Sequence, residues 1–383
     1  MKVCLVGLDN LPVIAPAYRQ FAVGGESVQQ TLLARALRSA GHDVVMVTAD
    51  CGQPDAAAWD GIRVFKAYRA NSGIPILRFL HPRLTRLWKA LERADAGVYY
   101  TSCAGMHVAV LALFCGRFDR RFVFRCASDA DCDPAHLLIR FARDRWLYRI
   151  GLRRANAILV QTQAQQRALA TNYGLRGRLA GMFVEEPLVA PRRDIDLLWV
   201  SNIRALKRAD RALQVAAELR DASVHLVGGS LPGEEALYDE VRRAAALAPN
   251  VTFHGRIAYH DARLLYARAR LFLNTSDVEG FPNAFLQAWA SGVPVVTFVD
   301  PDGVIGRNRL GAAVASMDEM RDVASQLLRS PSALNEAGER CRAFMNREYA
   351  QQRILAAYLD VFENVIRDSS AAKASTAKGI RHA

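Results

Sequence analysis

The sequence predicts an α/β chain of two domains, each organised on a parallel sheet. Three observations carry the prediction. Short apolar runs alternate with segments of helical period along most of the chain, the pattern of strand–helix–strand units. Several of those strands run into loops rich in glycine, polar and basic residues, and in open α/β sheets ligands bind at such loops. The chain has 383 residues and is 51% hydrophobic, enough for two sizeable cores, and its periodicity breaks at 181–196 around Glu185-Glu186-Pro187 and Pro191-Arg192-Arg193. Domains are therefore expected at 1–185 and 197–348, with a linker at 186–196. A C-terminal helix is expected at 349–367, followed by a disordered Ser-, Ala- and Lys-rich tail at 368–383.

In the first domain, Lys2 to Gly7 reads as a buried strand, Gln29 to Ala40 as a helix with Leu32, Leu33, Ala36 and Leu37 on one face, and His42 to Thr48 as the next strand. Gly24-Gly25 precedes that helix and either lets backbone approach a ligand or makes a tight turn. Two stretches, Arg78 to Ala94 and Arg140 to Arg154, mix arginines with Phe, Leu, Trp and Tyr at helical spacing. Each reads as a solvated basic face over an apolar stripe, or as a helix lying on an anionic membrane surface. Further strands are read at Gly97 to Tyr100, Phe122 to Cys126 and Ala155 to Gln161, with a helix at Gln163 to Tyr173. Three alternating acids, Asp129, Asp131 and Asp133, follow the strand at 122–126; their spacing matches only a fragment of a calcium loop.

In the second domain, the strand at Leu197 to Ser201 runs into Asn202-Ile203-Arg204-Ala205-Leu206-Lys207-Arg208, a cationic loop that opens a helix through Leu219. Strands at Val224 to Gly228 and Val251 to Arg256 follow, then a helix at Tyr259 to Ala269 and a buried strand leading into Asn274. Helices are read at 317–329, 333–347 and from Tyr349 to Arg367.

The stretch from Asn274 to Val296 is the most informative. Glu279-Gly280-Phe281-Pro282-Asn283 is a turn, Ala284 to Ser291 a short helix, Gly292 its C′ residue and Val293 to Phe298 the next strand. The loop opens at a helix N-terminus, where free amides and the positive end of the dipole suit a phosphate. Gln287 lies four residues after Asn283 on the same helix face. This stretch resembles the E-x7-E motif of retaining glycosyltransferases of family 4, in the branch whose motif reads EGFPN followed by LQAW. Those enzymes have the GT-B fold, two Rossmann-like domains with parallel sheets facing a central cleft.

The resemblance implies roles residue by residue. Glu279 contacts hydroxyls of the donor sugar. The loop backbone through Phe281, Pro282, Asn283 and Ala284 contacts sugar and phosphate. Gln287 stands where the family commonly has a second Glu, on the ribose. Lys207 falls on the family's diphosphate-gripping Lys. Asn202 occupies the usual Arg position and Arg204 follows two residues later, as in that branch. Gly24 and Gly25 match the Gly-Gly pair that faces the donor phosphates and the acceptor, and the turn holding Arg256 lies beside the base. Many members have a His near Ser128; this chain has Ser128-Asp129, with Asp129 as the acceptor-side acid. The implied reaction moves a hexose from a UDP- or GDP-sugar to a hydroxyl of a lipid-linked or polysaccharide acceptor with retained configuration, without metal or cofactor.

The formal charge of +12, from 50 Lys and Arg against 38 Asp and Glu, suits anionic substrates, an anionic membrane or nucleic acid. No nucleic-acid motif is present, so that partner is not expected. The seven cysteines are odd in number and none has C-x-x-C spacing, which points to neither a disulfide framework nor a zinc site. The N-terminus reads as a strand rather than a signal peptide, and no apolar run reaches membrane-spanning length. A cytoplasmic protein is expected, in peripheral contact with the inner face of the cell membrane. The rival reading, permitted by Gln287 and the missing His, is a catalytically silent nucleotide-sugar-binding protein.

Overall fold

The computed structural model describes residues 1–18, 20–21, 23–69, 72–74 and 77–380, with side chains described through residue 368. Its contacts divide the chain into two compact units: unit 1, residues 1–183 with 351–383, and unit 2, residues 184–350.

Unit 1 is built on eight strands: β1 (Lys2–Val6), β2 (Asp43–Thr48), β3 (Ala57–Trp59), β4 (Ile62–Lys66), β5 (Val98–Ser102), β6 (Arg121–Arg125), β7 (Ala157–Val160) and β8 (Arg178–Leu179). Their order is β3-β4-β2-β1-β5-β6-β7-β8. Every neighbouring pair is parallel except β3 and β4, a hairpin that closes one edge. The central strands are fully buried runs such as Val-Cys-Leu-Val and Val-Tyr-Tyr-Thr-Ser, as expected where helices cover both faces of a parallel sheet. Strand order reverses between β1 and β5, so the loops after these strands leave in opposite directions and open a crevice at the carboxyl edge.

Unit 2 carries six parallel strands: β9 (Ile195–Val200), β10 (Val224–Val227), β11 (Val251–Gly255), β12 (Ala269–Asn274), β13 (Val295–Thr297) and β14 (Gly311–Ala313). The order β11-β10-β9-β12-β13-β14 is that of a doubly wound dinucleotide-fold sheet, with its reversal between β9 and β12. The core includes Leu197, Trp199, Leu226, Leu271 and Val296. Both units are thus Rossmann-like.

Several elements differ from the sequence reading. The basic stretch at 78–94 is not one helix. A turn at Phe79–Leu84 is broken at His81 (φ −132°, ψ 126°) and the helix proper is Thr85–Ala94. Pro82 is the cause, since a proline pushes its predecessor out of the helical region. The second basic helix is Ala142–Arg153. A helix at Met106–Arg117 escaped the pattern because it is apolar almost all round, with seven buried residues and no polar stripe. The last helix, Gln351–Ile380, continues through much of the segment expected to be a disordered tail; that segment is rich in alanine and lysine, which favour helix. Residues 381–383 of that tail lie outside the described residues. Within unit 1 this helix sets Tyr358 and Phe362 edge-on against Tyr100 of β5.

Candidate active site

In unit 2 the loops after β9 and β12 meet at the strand-order reversal, which brings residues 202–208 beside 275–282. Thr275, fully buried, fastens the two loops. Its hydroxyl donates to the Lys207 and Arg208 carbonyls (2.9 and 2.8 Å) and accepts from the Trp199 indole (2.9 Å). One backbone bond, from the Asp277 N–H to the Leu206 carbonyl (3.0 Å), and the Arg211–Asp277 ion pair (2.7 Å) complete the join.

This join delivers Lys207 to Glu279. The ammonium Nζ stands 2.6 Å from Glu279 Oε1, with side-chain exposures of 19% and 11%. Ser276 Oγ (2.6 Å) and Asn274 Nδ2 (3.2 Å) donate to the same oxygen. Asn274 is itself held by Thr297, whose hydroxyl donates to Asn274 Oδ1 (3.2 Å), while the Ser276 amide donates to that oxygen at 3.3 Å. Glu279 is therefore a carboxylate fixed by three donors on one oxygen. Among the described residues no partner reaches Oε2. A carboxylate so fixed has a lone-pair face oriented for hydroxyl donors.

The helix Asn283–Ala290 begins immediately after this loop, with Pro282 in extended conformation at its N-cap and no side-chain cap. The amides of Asn283 and Ala284 precede the helix's own ladder, the usual place for an anion. Asn283 Oδ1 is buried without a hydrogen-bond partner among the described residues. Phe281 points inward, its ring edge-on to Trp289 at 6.2 Å and tilted against Tyr349 at 6.2 Å, so this residue offers a ligand its backbone and not its ring. Gly292 closes the helix at φ 67°, in the left-handed region that glycine tolerates.

Arg204 sits in extended conformation at the start of the turn Ala205–Lys207 and is half-buried. Among the described residues it has no ion pair. Arg256, after β11, donates to the Ser230 carbonyl and lies over Gly229. The Gly229 carbonyl accepts from the Ile203 amide (3.0 Å), so the Arg256 turn and the cationic loop lean on the same Gly-Gly turn. A side chain at Gly228 would collide with the Ser201 carbonyl, so the close approach of these loops requires glycine there. Gln287 is set apart from Glu279 by its own contacts. Its Nε2 donates to the Tyr259 hydroxyl (3.2 Å), beside a cavity of about 10 Å³ lined also by Glu185 and Arg263.

In unit 1, Gly24 is extended (φ −96°, ψ 157°) and caps the helix Gly25–Ser39. An added Cβ at Gly24 would meet only Ser27 Oγ, at 4.0 Å, so neither conformation nor crowding requires glycine there. Asp129 is exposed and accepts from Gln165 Nε2 (2.9 Å). The buried acid of that loop is Asp131. Its carboxylate accepts from the Ala127, Ser128 and Ala104 amides, and burial pushes its pKa up to about 6 against these bonds.

Sequence reasoning missed the ion pair behind Gly24-Gly25. Arg125, at the end of β6, is wholly buried and its Nη1 donates to both oxygens of Glu26 (2.8 and 2.9 Å). Burial presses the arginine pKa down, and the Glu26 carboxylate more than offsets it. Arg125 Nε and Nη2 have no hydrogen-bond partner among the described residues. The partners lie 99 residues apart, and an arginine closing a strand carries no signal of its own. The Ser276, Asn274 and Thr275 network was also missed, although a polar triplet closing an apolar strand is visible in the sequence.

Two doubly wound units, one with a lysine–carboxylate pair at its strand-order reversal and a bare helix N-terminus beside it, define a GT-B glycosyltransferase architecture. The comparisons with known proteins agree. The family described as glycosyl transferases group 1 matches residues 194–330, and the glycosyl transferase 4-like domain matches residues 24–180. The chain belongs to the GT-B glycosyltransferases of family 4. It is 28% identical over 191 residues to an alpha-galactosylglucosyldiacylglycerol synthase of Streptococcus pneumoniae, a match covering 47% of this chain and 50% of that protein. The chain spans about half the length of the curated relatives it matches. Its fold is similar to that of a sucrose-phosphate synthase from Thermosynechococcus elongatus (TM-score 0.77, 16% identity, 96% of this chain and 100% of that one). It is also similar to Anabaena HepE in complex with UDP and glucose (TM-score 0.71, 15% identity, 95% and 100%). Likeness at these identities is one of fold.

Proposed function

We propose that this protein is a retaining glycosyltransferase of the EGFPN branch. It moves a hexose from a UDP- or GDP-sugar to a hydroxyl of a lipid-linked or polysaccharide acceptor, at an anionic membrane surface. The observation that carries the reading is the Lys207–Glu279 contact at 2.6 Å, on loops held together by Thr275. In this reading unit 2 holds the donor, Gly24 and Gly25 of unit 1 face the donor phosphates and the acceptor, and Asp129 serves the acceptor side. Glu279 receives hydroxyls of the transferring sugar. Lys207 and Arg204 meet the diphosphate together with the amides of Asn283 and Ala284, while Gln287 and Arg256 hold the nucleoside. The bond between the anomeric carbon and the diphosphate oxygen breaks as the acceptor oxygen attacks from the same face. The acceptor's proton passes to the leaving phosphate, so no protein base is required. Cations and a helix terminus that stabilise developing negative charge are worth most at this step. The HepE complex with UDP and glucose and the glycolipid-synthase relative support the donor and acceptor classes.

The test is a thermal-shift screen of UDP-, GDP- and ADP-sugars on the purified chain, followed by NMR of the product formed with the stabilising donor. A bound donor raises the melting temperature. The reading expects nucleoside diphosphate release and an axial-to-axial or equatorial-to-equatorial outcome at the anomeric carbon. Stabilisation without turnover on any hydroxyl acceptor supports the silent-binder reading instead. An inverted product overturns the mechanism.

A further inference from the structure

Six of the fourteen large hydrophobic side chains exposed among the described residues fall in two short segments, 74–80 and 138–146. They are Ile74, Leu77, Leu80, Leu138, Phe141 and Trp146, with Leu138 at 71% and Trp146 at 62% exposure. A scatter of single exposed hydrophobics is ordinary; a concentration of this kind marks a surface that is covered in use. The two segments are neighbours in space, since the Arg143 guanidinium lies 3.8 Å from the centre of the Phe79 ring.

The helix Ala142–Arg153 has a fixed inner face. Tyr148, Gly151 and Leu152 are buried, and a side chain at Gly151 would strike the Ala109 backbone at 2.5 Å, so this helix sits tight on Met106–Arg117. The packed side therefore commits Trp146, Arg145 and Arg149 to the outside, where all three are exposed. The charge of these two segments is mostly positive. Residues 74–94 and 138–154 contain ten arginines and one lysine against two carboxylates, Glu92 and Asp144, the latter already paired with Arg143 at 2.8 Å.

We propose that this face of unit 1 docks on an anionic lipid surface, with Trp146, Phe141, Leu138 and Leu80 entering the headgroup boundary and the arginines among them meeting lipid phosphates. Apolar side chains interleaved with cations on one exposed helix face are the chemistry of an interfacial helix. A guanidinium matches phosphate geometry, and its stem follows the apolar residues into the boundary. The proposal rests on the membrane part of the proposed function and names the surface that would perform it.

The test is flotation of the full chain with phosphatidylcholine vesicles, with and without one part in three of phosphatidylglycerol. Wild type is expected to float with the anionic vesicles and not the neutral ones, and to be released by salt. Arg140→Ala with Arg149→Ala should weaken binding about thirty-fold, at about 1 kcal/mol per basic residue near the surface. Trp146→Ser with Phe141→Ser should also reduce flotation with no loss of melting temperature, since both side chains are exposed. Brominated lipid should quench wild-type tryptophan fluorescence but not that of Trp146→Phe. Binding that both double variants leave intact overturns this face and leaves membrane association standing. Failure to float, in a chain that glycosylates a water-soluble acceptor, overturns docking and leaves the transferase reading standing. Self-association that the Trp146/Phe141 variant abolishes, or capture of duplex DNA in place of lipid, assigns the face to another partner and also overturns the proposal.

Discussion

Arg125 and Lys207 each hold a carboxylate at the carboxyl edge of a sheet, yet the two pairs do opposite work. Arg125 is 0% exposed and clasps both oxygens of Glu26; Lys207 is 19% exposed and meets one oxygen of Glu279 that two neighbours also serve. The wholly buried Arg125 guanidinium cannot exchange partners without leaving an uncompensated charge inside the protein. The Lys207 ammonium keeps some contact with water, and Glu279 uses only one oxygen for its three donors, so this pair has room to take on a ligand. The contrast suits Arg125–Glu26 to holding the Gly24-Gly25 loop in place and fits the proposal that Lys207–Glu279 handles a substrate.

The sharpest way to break this comparison is to remove the buried cation. Arg125→Met is expected to destabilise unit 1 by about 3–5 kcal/mol, the usual result of stranding one member of a buried pair. Pairing that change with Glu26→Gln should restore part of the loss, because no charge is then left inside. Thermal melts of the single and double variants check this, and additive losses would mean that the two residues are not coupled.

Next in size is the titration of Asp131. Its folded value of about 6 lies above the ordinary 3.8, and burial is the main cause. From about pH 4 to about 6 the unfolded chain has released this proton while the folded chain keeps it. Stability contributed by this group is therefore full at low pH and is lost as pH rises to about 6, roughly 3 kcal/mol at 1.36 kcal/mol per unit. Carboxyl carbon NMR should give a midpoint near 6 for Asp131. Half-buried Asp133, with its hydrogen bond from His136 and backbone bonds, should titrate below 3.8. Equal midpoints would contradict the burial argument.

Two substitutions sharpen the account of unit 2. Glu279→Ala should lower kcat about a hundredfold, since a misplaced reacting centre typically costs that much. Gln287→Ala should chiefly raise the donor KM, by about tenfold, because a remote contact governs binding more than chemistry. Gln287→Glu, which restores the commoner family residue, should stay active. Steady-state kinetics with the donor found by thermal shift separates the two. A kcat defect confined to Gln287→Ala would mean that the roles are exchanged.

Much of the fold was legible because buried parallel strands announce themselves as short apolar runs, as β1, β5 and β12 do. The helix Met106–Arg117 was not, because a helix apolar on every side has no period to read. The edge hairpin β3–β4 was also missed: β3 is only three residues long, and no residue in it is buried. In the candidate site, Glu279, Lys207 and Asn283 sit in loops or at a helix start whose residue types and spacing form a pattern, and the structure brings Glu279 and Lys207 into contact. Glu26 and Arg125 could not be paired in advance, since nothing in a helix's first turn specifies a strand end 99 residues away. Asp129 and Asp131 illustrate a finer limit. Both are acids in one short turn, and only the fold decides that Asp131 turns inward while Asp129 stays exposed.

The central claim is that the Lys207–Glu279 contact is a donor site at rest. Turnover by Lys207→Ala at saturating donor tests it most directly, with circular dichroism as the check that the fold is intact. Loss of one charge-stabilising donor typically removes about 2.7–4 kcal/mol of transition-state stabilisation, so kcat should fall by roughly a hundred- to a thousandfold. A folded Lys207→Ala protein that turns over at the wild-type rate would contradict the account.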